Sequence, residues 1–316
     1  MTAIAPPGAP SFIGGDWGTS HLRLFLCDAQ GTVLDSRTGP GAIDAGGHFS
    51  DVFECLAAHW EKPPGTLPAV LCGMVGSSIG WVQVPYVACP VRPEQIAGAC
   101  ASLRGGSIHI VPGLSCRNRF DAPDFLRGEE TQILGALELT PALRQGRWLL
   151  CLPGTHTKWA LLEDGSVREF LTAPTGELYA VVRQHSVLVG RHACVEAGID
   201  AEAFHKGLAS FNAFTHAQLL HRLFECRSRQ LSGELRAPEG YLSGLLIASD
   251  VHGALRMLSG SIATRLVHVI GSPALTQLYA AALAGNGYEA SQVEGAAAAR
   301  AGLAQVHRRL SRGVGT

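Results

Sequence analysis

The chain has 316 residues, 47% of them apolar and 16% charged, with a formal net charge of -1. That length suits about two domains, and that balance describes a soluble globular chain with ample core. So small a charge supplies no basic stripe, which argues against nucleic acid or anionic membrane as partners.

Nine cysteines, an odd number without a C-x-x-C pair, fit buried thiols in a reducing cytoplasm better than a disulfide framework or metal cluster. Met1–Pro10 is Pro/Ala-rich and reads as a loose start; it lacks the basic head and long apolar run of a signal peptide. The uncharged stretch Pro63–Val91 is broken by prolines, glycines and β-branched runs, so it reads as buried strands and loops, not a membrane span.

The first apolar run, Phe12–Gly15, leads into the tight turn Asp16-Trp17-Gly18-Thr19-Ser20, and Leu22–Leu26 leads out as an alternating strand. A bend at Asp28–Gly31 returns the chain through Thr32–Leu34. Gly18 lets the backbone approach a ligand, and Thr19 and Ser20 add hydroxyls to exposed N–H groups. Asp16 at a strand end can hold Mg²⁺, directly or through its waters. A tight Asp-Gly turn between buried strands is the purely structural account of the same residues.

A helix is expected over 50–60, ended by Pro63-Pro64-Gly65, and Ala69–Cys72 reads as a central strand. The loop that follows contains Gly76-Ser77-Ser78-Ile79-Gly80, a formal match to the G-x-S-x-G nucleophile elbow. The elbow requires a helix after its serine, whereas Trp81–Tyr86 alternates like a strand and meets a proline. A substrate loop fits better, with Ser77 and Ser78 offering hydroxyls and Trp81 and Tyr86 walls, at the carboxyl end of a strand. Residues 92–103 look helical, Ile108–Val111 is a short strand, and Ser115–Asp121 is a polar, basic loop. In that loop Arg119 can meet an anionic substrate group or simply face solvent. The domain boundary is expected near residue 122, dividing the chain into 11–122 and 123–316.

Arg127-Gly128-Glu129-Glu130-Thr131-Gln132 opens a helix whose first turn holds two carboxylates. Such acids complement the helix dipole, by about 0.3–1 kcal/mol each; Glu129, or else Glu130, could instead serve as general base toward a hydroxyl. The second half then repeats the first. Trp148–Leu152 is a strand, Pro153-Gly154-Thr155-His156-Thr157 a tight loop, and Lys158–Leu162 the next strand, so Gly154-Thr155 overlays Gly18-Thr19. Leu152 stands where the first copy has Asp16. His156 or Lys158 can neutralise phosphate charge or be strand-edge residues. Thr175 suggests a capped helix start. Residues 193–231 read as largely solvated helices, and the helix of 239–258 carries Leu242, Leu245, Leu246 and Ile247 as core. Finally, a strand ends at Gly271, followed by Ser272 as N-cap and Pro273 at the first helical position.

These paired loops resemble the phosphate loops of the sugar kinase and actin superfamily, which implies an α/β fold of two ribonuclease H-like domains with a cleft between them. Within it, Arg23 falls where carbohydrate kinases aim an arginine at the phosphoryl group, and Glu129 where they carry a catalytic aspartate. Gly271-Ser272-Pro273 is similar to their adenosine motif. The runs Gly73–Trp81, Arg127–Gln132, Leu152–Trp159 and Thr175–Leu178 resemble more closely the 2-dehydro-3-deoxygalactonokinase family. That resemblance implies ATP-dependent, Mg²⁺-assisted phosphorylation of 2-dehydro-3-deoxy-D-galactonate at its 6-hydroxyl, in galactonate catabolism. The residues alone reach only a kinase of a small hydroxylated substrate. A serine hydrolase using Ser78, or a nucleotide sensor without transfer, stays open; so do the gluconate epimer as substrate and a homo-oligomeric state.

Overall fold

The protein is described here from a computed structural model, over residues 8–60, 67–189, 199–212 and 218–313. Residues 1–7 of the expected loose start at 1–10, and the helix stop at 63–65, lie outside the described residues. Contacts divide the chain into two compact units: Met1–Gly146 with Leu162–Phe170 and Glu294–Thr316, and Arg147–Leu161 with Leu171–Val293. No helix among the described residues is long and apolar enough to cross a membrane.

In the first unit the strands are β1 (Phe12–Trp17), β2 (His21–Cys27), β3 (Val33–Pro40), β4 (Ala69–Gly73), β5 (Val87–Ala88), β6 (Ala101–Leu103), β7 (Ile108–Ile110), β8 (Leu114–Arg117) and β9 (Pro123–Leu126). Its helices are α1 (Ala42–Ala45), α2 (Phe49–Ala57), α3 (Pro93–Gly98), α4 (Glu129–Leu139) and a C-terminal helix, Gly295–Gly313. The main sheet has the order β3-β2-β1-β4-β7-β6. β1 pairs antiparallel with β2 and parallel with β4, and β4 runs parallel to β7. Covered on both faces, β1 and β4 are apolar almost throughout, as buried sheet centres are. At the edge, β3 is mostly exposed and carries Asp35, Ser36 and Arg37.

Three local expectations change. The helix over 92–103 stops at Gly98, the residue with least helical preference after Pro93 at its first position, and Ala101–Leu103 instead pairs antiparallel with β7. Ladder bonds to a neighbouring strand outweigh the helical leaning of an alanine-rich segment. The polar loop at 115–121 is the tip of a hairpin: β8 pairs with β9, and Asn118 Oδ1 accepts the N–H groups of Phe120 and Ala122 across the turn. Trp81–Tyr86 forms no strand. Val75 O accepts from the N–H of Trp81 at 2.8 Å and Gly76 O from that of Val84 at 2.9 Å, folding this segment back on the turn before it. Nor does a helix follow Ser78, so the serine-hydrolase geometry is missing and that alternative is dropped.

α4 crosses the C-terminal helix at very short range. A Cβ on Gly135 would lie 1.7 Å from Ala298 O, and one on Gly302 1.9 Å from Thr131 O. Polar bonds lock the same crossing, with Gln305 Nε2 and Arg308 Nη2 donating to the Glu138 carboxylate at 2.6 and 3.0 Å. Gly135→Ala is therefore expected to push the helices apart and cost about 3 kcal/mol, read as a lower melting temperature. A variant melting with wild type would disprove this packing.

The second unit contains β10 (Arg147–Leu152), β11 (Thr157–Glu163), β12 (Ser166–Ala173), β13 (Leu266–Gly271) and β14 (Glu289–Glu294), ordered β12-β11-β10-β13-β14. The outer ends of β11 and β12 are counted with the first unit. Each main sheet thus reads third, second, first, fourth strand and then a later one, the ribonuclease H-like order, so the repeat expected from the two loops extends to the sheets. Helices α5 (Thr175–His185), α6 (Ala201–Asn212), α7 (Leu219–Leu223), α8 (Glu225–Leu231), α9 (Pro238–Leu258) and α10 (Pro273–Ala284) complete it. Leu242, Leu245, Leu246 and Ile247 of α9 are buried as expected. α6 is less solvated than its polarity suggests: Phe204, Leu208 and Phe211 are buried, and Gly207 and Gly244 admit the backbones of α6 and α9 to close contact.

Candidate active site

In the first unit three element ends converge. Asp16 lies in the last turn of pleat of β1, opposite Arg23 across the β1–β2 hairpin and beside Cys72 of β4. Gly73 ends β4 with φ +89°, and Gly128 precedes α4 with φ +106°, conformations that disfavour any side chain. A Cβ on Gly73 would meet Trp17 O at 2.7 Å and Asp16 Oδ1 at 3.6 Å, and one on Gly128 would lie 3.6 Å from Gly73 Cα. Bare backbone here leaves a cradle in front of the Asp16 carboxylate. Desolvation raises that carboxyl above its usual value, and the Arg23 charge offsets part of the rise. Among the described residues no cluster of three metal-ligating side chains occurs. A single carboxylate suits Mg²⁺, which keeps several waters and takes its remaining ligands from phosphates.

The two adjacent glutamates differ sharply. Glu130 is completely buried; it accepts the Gly128 N–H at 2.6 Å and the Thr131 hydroxyl at 2.9 Å. Burial pushes its carboxyl up to about 8, and the neighbouring Glu129 charge adds to the shift. Glu129 is partly exposed, its Oε2 accepting the Arg127 N–H at 3.1 Å.

The hairpin turn itself is held from behind. Gly18 O and Thr19 O accept from the N–H groups of Ala42 and Ile43, and a Cβ on Gly41 would be 2.3 Å from Thr19 O. The Gly18 N–H is used by the hairpin, donating to His21 O at 2.9 Å, so the exposed Thr19 and Ser20 offer the N–H groups for an anion. Of the substrate-loop residues, Ser77 spends its hydroxyl on Met74 O at 2.7 Å, while Ser78 is exposed. Trp81 packs on Phe53 with Arg104 over its ring. Arg119 forms a two-pronged ion pair with Glu169, at 2.9 and 2.6 Å. Tyr86 stacks under the Arg127 guanidinium at 4.4 Å.

Arg127 is the functional candidate that sequence reasoning passed over. Its Nη2 donates to Val84 O at 2.7 Å, but Nε and Nη1 are buried and find no acceptor among the described residues. Buried, half-bonded guanidinium groups are rare enough to call for a reason. Its place beside Gly128-Glu129 was visible in the sequence; its stacking on Tyr86, 41 positions upstream, was not.

In the second unit the loop Pro153–His156 sits on the start of α5. Glu177 N–H donates to Thr155 O at 2.9 Å, and a Cβ on Gly176 would lie 2.3 Å from Gly154 O. His156 Nε2 meets Glu177 Oε2 at 2.8 Å, whereas Lys158 is buried in β11 and bonds Thr172 Oγ1 at 2.9 Å. Gly271 packs on Pro153, and Ser272 caps α10 through the Leu275 N–H, as its position predicts. Thr175 does not cap α5: it is the first helical residue, and its hydroxyl turns inward to Asp250. Burial raises the Asp250 carboxyl, while bonds from Tyr279, Thr175 and Trp159 pull it back. Beside this group lies an apolar cavity lined in part by Gly154, Gly176, Tyr179, Leu246, Ile247 and Leu275.

The profile of the 2-keto-3-deoxy-galactonokinase family matches residues 16–306. A curated relative from Rhizobium meliloti (strain 1021) is 36% identical over 308 residues, covering 93% of this chain and 96% of its own. The 2-dehydro-3-deoxygalactonokinase of Escherichia coli (strain K12) is 31% identical over 298 residues, covering 93% of this chain and 97% of its own. A crystal structure from Sinorhizobium meliloti, assigned to a 2-dehydro-3-deoxygalactonokinase, aligns with a TM-score of 0.83 at 35% identity, over 94% of this chain and 98% of its own. With a profile match over nearly its whole length and relatives of this identity and coverage, the chain belongs to the 2-keto-3-deoxy-galactonokinase family.

Proposed function

We propose that the chain transfers the γ-phosphoryl group of ATP to the 6-hydroxyl of 2-dehydro-3-deoxy-D-galactonate. The observation that carries this reading is the partly exposed Glu129, set at the head of α4 where the ends of β1 and β4 meet, in a chain of this family. Glu129 orients the acceptor hydroxyl and takes its proton late in the transfer, because an alcohol is far less acidic than a carboxylic acid. Glu130, buried and protonated near neutrality, cannot fill that role. Asp16 would hold Mg²⁺ through its waters, in the cradle left by Gly73; bound there, the ion neutralises charge on the phosphate oxygens.

Within the first unit the Thr19 and Ser20 N–H groups are the phosphate donors; within the second unit the Gly154-Thr155 loop, with His156 beside it, has that role. Arg23 faces the transferring group. The adenosine lies on the turn Gly271-Ser272-Pro273, its base in the apolar cavity beside Leu275. Ser78, Trp81 and Tyr86 form the sugar loop. Arg127 carries the positive charge that meets the acid's carboxylate, since Arg119 is committed to Glu169. Orienting the two reactants is worth roughly 7–11 kcal/mol of barrier, and keeping water out prevents it competing as acceptor.

Coupled ADP release over a panel of sugar acids tests the reading. The galactonate-derived 2-keto-3-deoxy acid is expected to turn over fastest, ahead of its gluconate epimer and of a neutral analogue lacking the carboxylate. Faster turnover of the epimer would reassign the substrate. Nucleotide binding without ADP release on any acid would make the protein a sensor.

A further inference from the structure

The buried carboxylate of Asp250 lies outside every residue to which the kinase reading gives a role, yet it joins three other elements of the second unit. Its Oδ1 accepts from Trp159 Nε1 at 2.8 Å; its Oδ2 accepts from the Thr175 and Tyr279 hydroxyls, both at 2.7 Å. Tyr279 OH in turn lies 2.7 Å from Thr157 Oγ1. All five side chains are buried, and they come from β11, α5, α9 and α10. Among the described residues no cation pairs with Asp250, so neutral donors alone satisfy it.

An ionised carboxylate only accepts, and that fixes the direction of the chain of bonds. Tyr279 spends its single hydrogen on Asp250, so Thr157 must donate to Tyr279. The two threonines are the places where this matters. Thr157 is the residue at which the loop 153–156 passes into β11, and Thr175 begins the helix on which that loop sits. Thr175 and Tyr279 also line the apolar cavity, together with Gly154.

We propose that Asp250 is a positioning residue for the nucleotide: by holding Thr157, Thr175 and Tyr279 at once, it sets the second phosphate loop and the cavity wall in their binding shape. This rests on the reading that the second unit takes ATP, and it concerns nucleotide affinity alone. A residue needed only for folding would weaken both substrates together.

The test uses the full-length enzyme carrying Asp250→Ala, Asp250→Asn or Tyr279→Phe. Calorimetry gives the affinity for ADP, and steady-state kinetics the KM for ATP and for the sugar acid. Asp250→Ala is expected to weaken ADP binding and raise the KM for ATP about tenfold or more, leaving the KM for the sugar acid within about twofold. Asp250→Asn should recover most of the loss, because its amide can donate to both hydroxyls while its oxygen keeps the Trp159 bond. If the alanine variant does not fold, Tyr279→Phe cuts the link to Thr157 while keeping the ring, and should cost about three- to tenfold in ADP affinity. Unchanged ADP affinity in a folded variant, or equal rises in both KM values, overturns the proposal. Wild-type enzyme that binds no adenine nucleotide overturns the kinase reading and this inference together; nucleotide binding without transfer overturns only the former.

Discussion

Glu129→Gln is expected to lower kcat by about 10²–10⁴-fold while the KM for ATP changes little. The amide keeps the size of the side chain and its bond from the Arg127 N–H but cannot take a proton. Glu130→Gln is the informative control. Glutamine can accept the Gly128 N–H and donate to the Thr131 hydroxyl, preserving both contacts of a group already protonated near neutrality, so kcat should stay within a few-fold. Its effect falls on stability instead. A carboxyl raised from the usual 4.5 to about 8 keeps its proton in the folded protein over a range where the unfolded chain has lost it. Its contribution is therefore whole below 4.5 and falls as pH rises toward 8, where it is lost. Melting temperatures at pH 5.5 and pH 8 should show wild type losing ground to Glu130→Gln as pH rises. Loss of kcat in Glu130→Gln, with Glu129→Gln near wild type, would exchange the two roles.

Asp16→Ala is expected to cost about 10²–10⁴-fold in kcat/KM, the several kcal/mol that a correctly held divalent cation supplies to charge developing on transferring phosphate. The fold should survive, because removing a desolvated carboxylate from the end of β1 relieves a burial cost. A reading apart from turnover is the Mg²⁺ dependence of ADP binding. Wild type should bind ADP more tightly as Mg²⁺ is added, and the variant should lose most of that gain. An unchanged Mg²⁺ response would remove Asp16 from the metal site. Raised pKa has a consequence of its own: a protonated Asp16 holds no cation, so Mg²⁺-linked affinity should weaken on the acid side at a higher pH than for an ordinary aspartate.

Much of the site was readable because it is local. Asp16-Trp17-Gly18-Thr19-Ser20 and Pro153-Gly154-Thr155-His156-Thr157 announce strand, turn and strand through residues that touch within a few positions. Ser272 and Pro273 announce a helix start the same way, and Ser272 does cap α10. Thr175 looked equally like a cap, but its hydroxyl found a stronger partner in Asp250, 75 positions away. The pair Glu129-Glu130 was legible as two carboxylates in a first turn; which of them is partly exposed and which is buried was not.

What the sequence by itself determined is the doubled strand–loop–hairpin plan, written in short spacings, and, through the runs that resemble it, the family. Only the tertiary structure decided that Ala101–Leu103 is a strand, that Arg119 is paired while Arg127 keeps two buried nitrogens without acceptors among the described residues, and that Asp250 ties four elements together. The reason is the same in each case. Solvation and hydrogen-bond partners are set by segments tens of residues apart in the chain, and a side chain's chemistry follows from whatever folding brings against it.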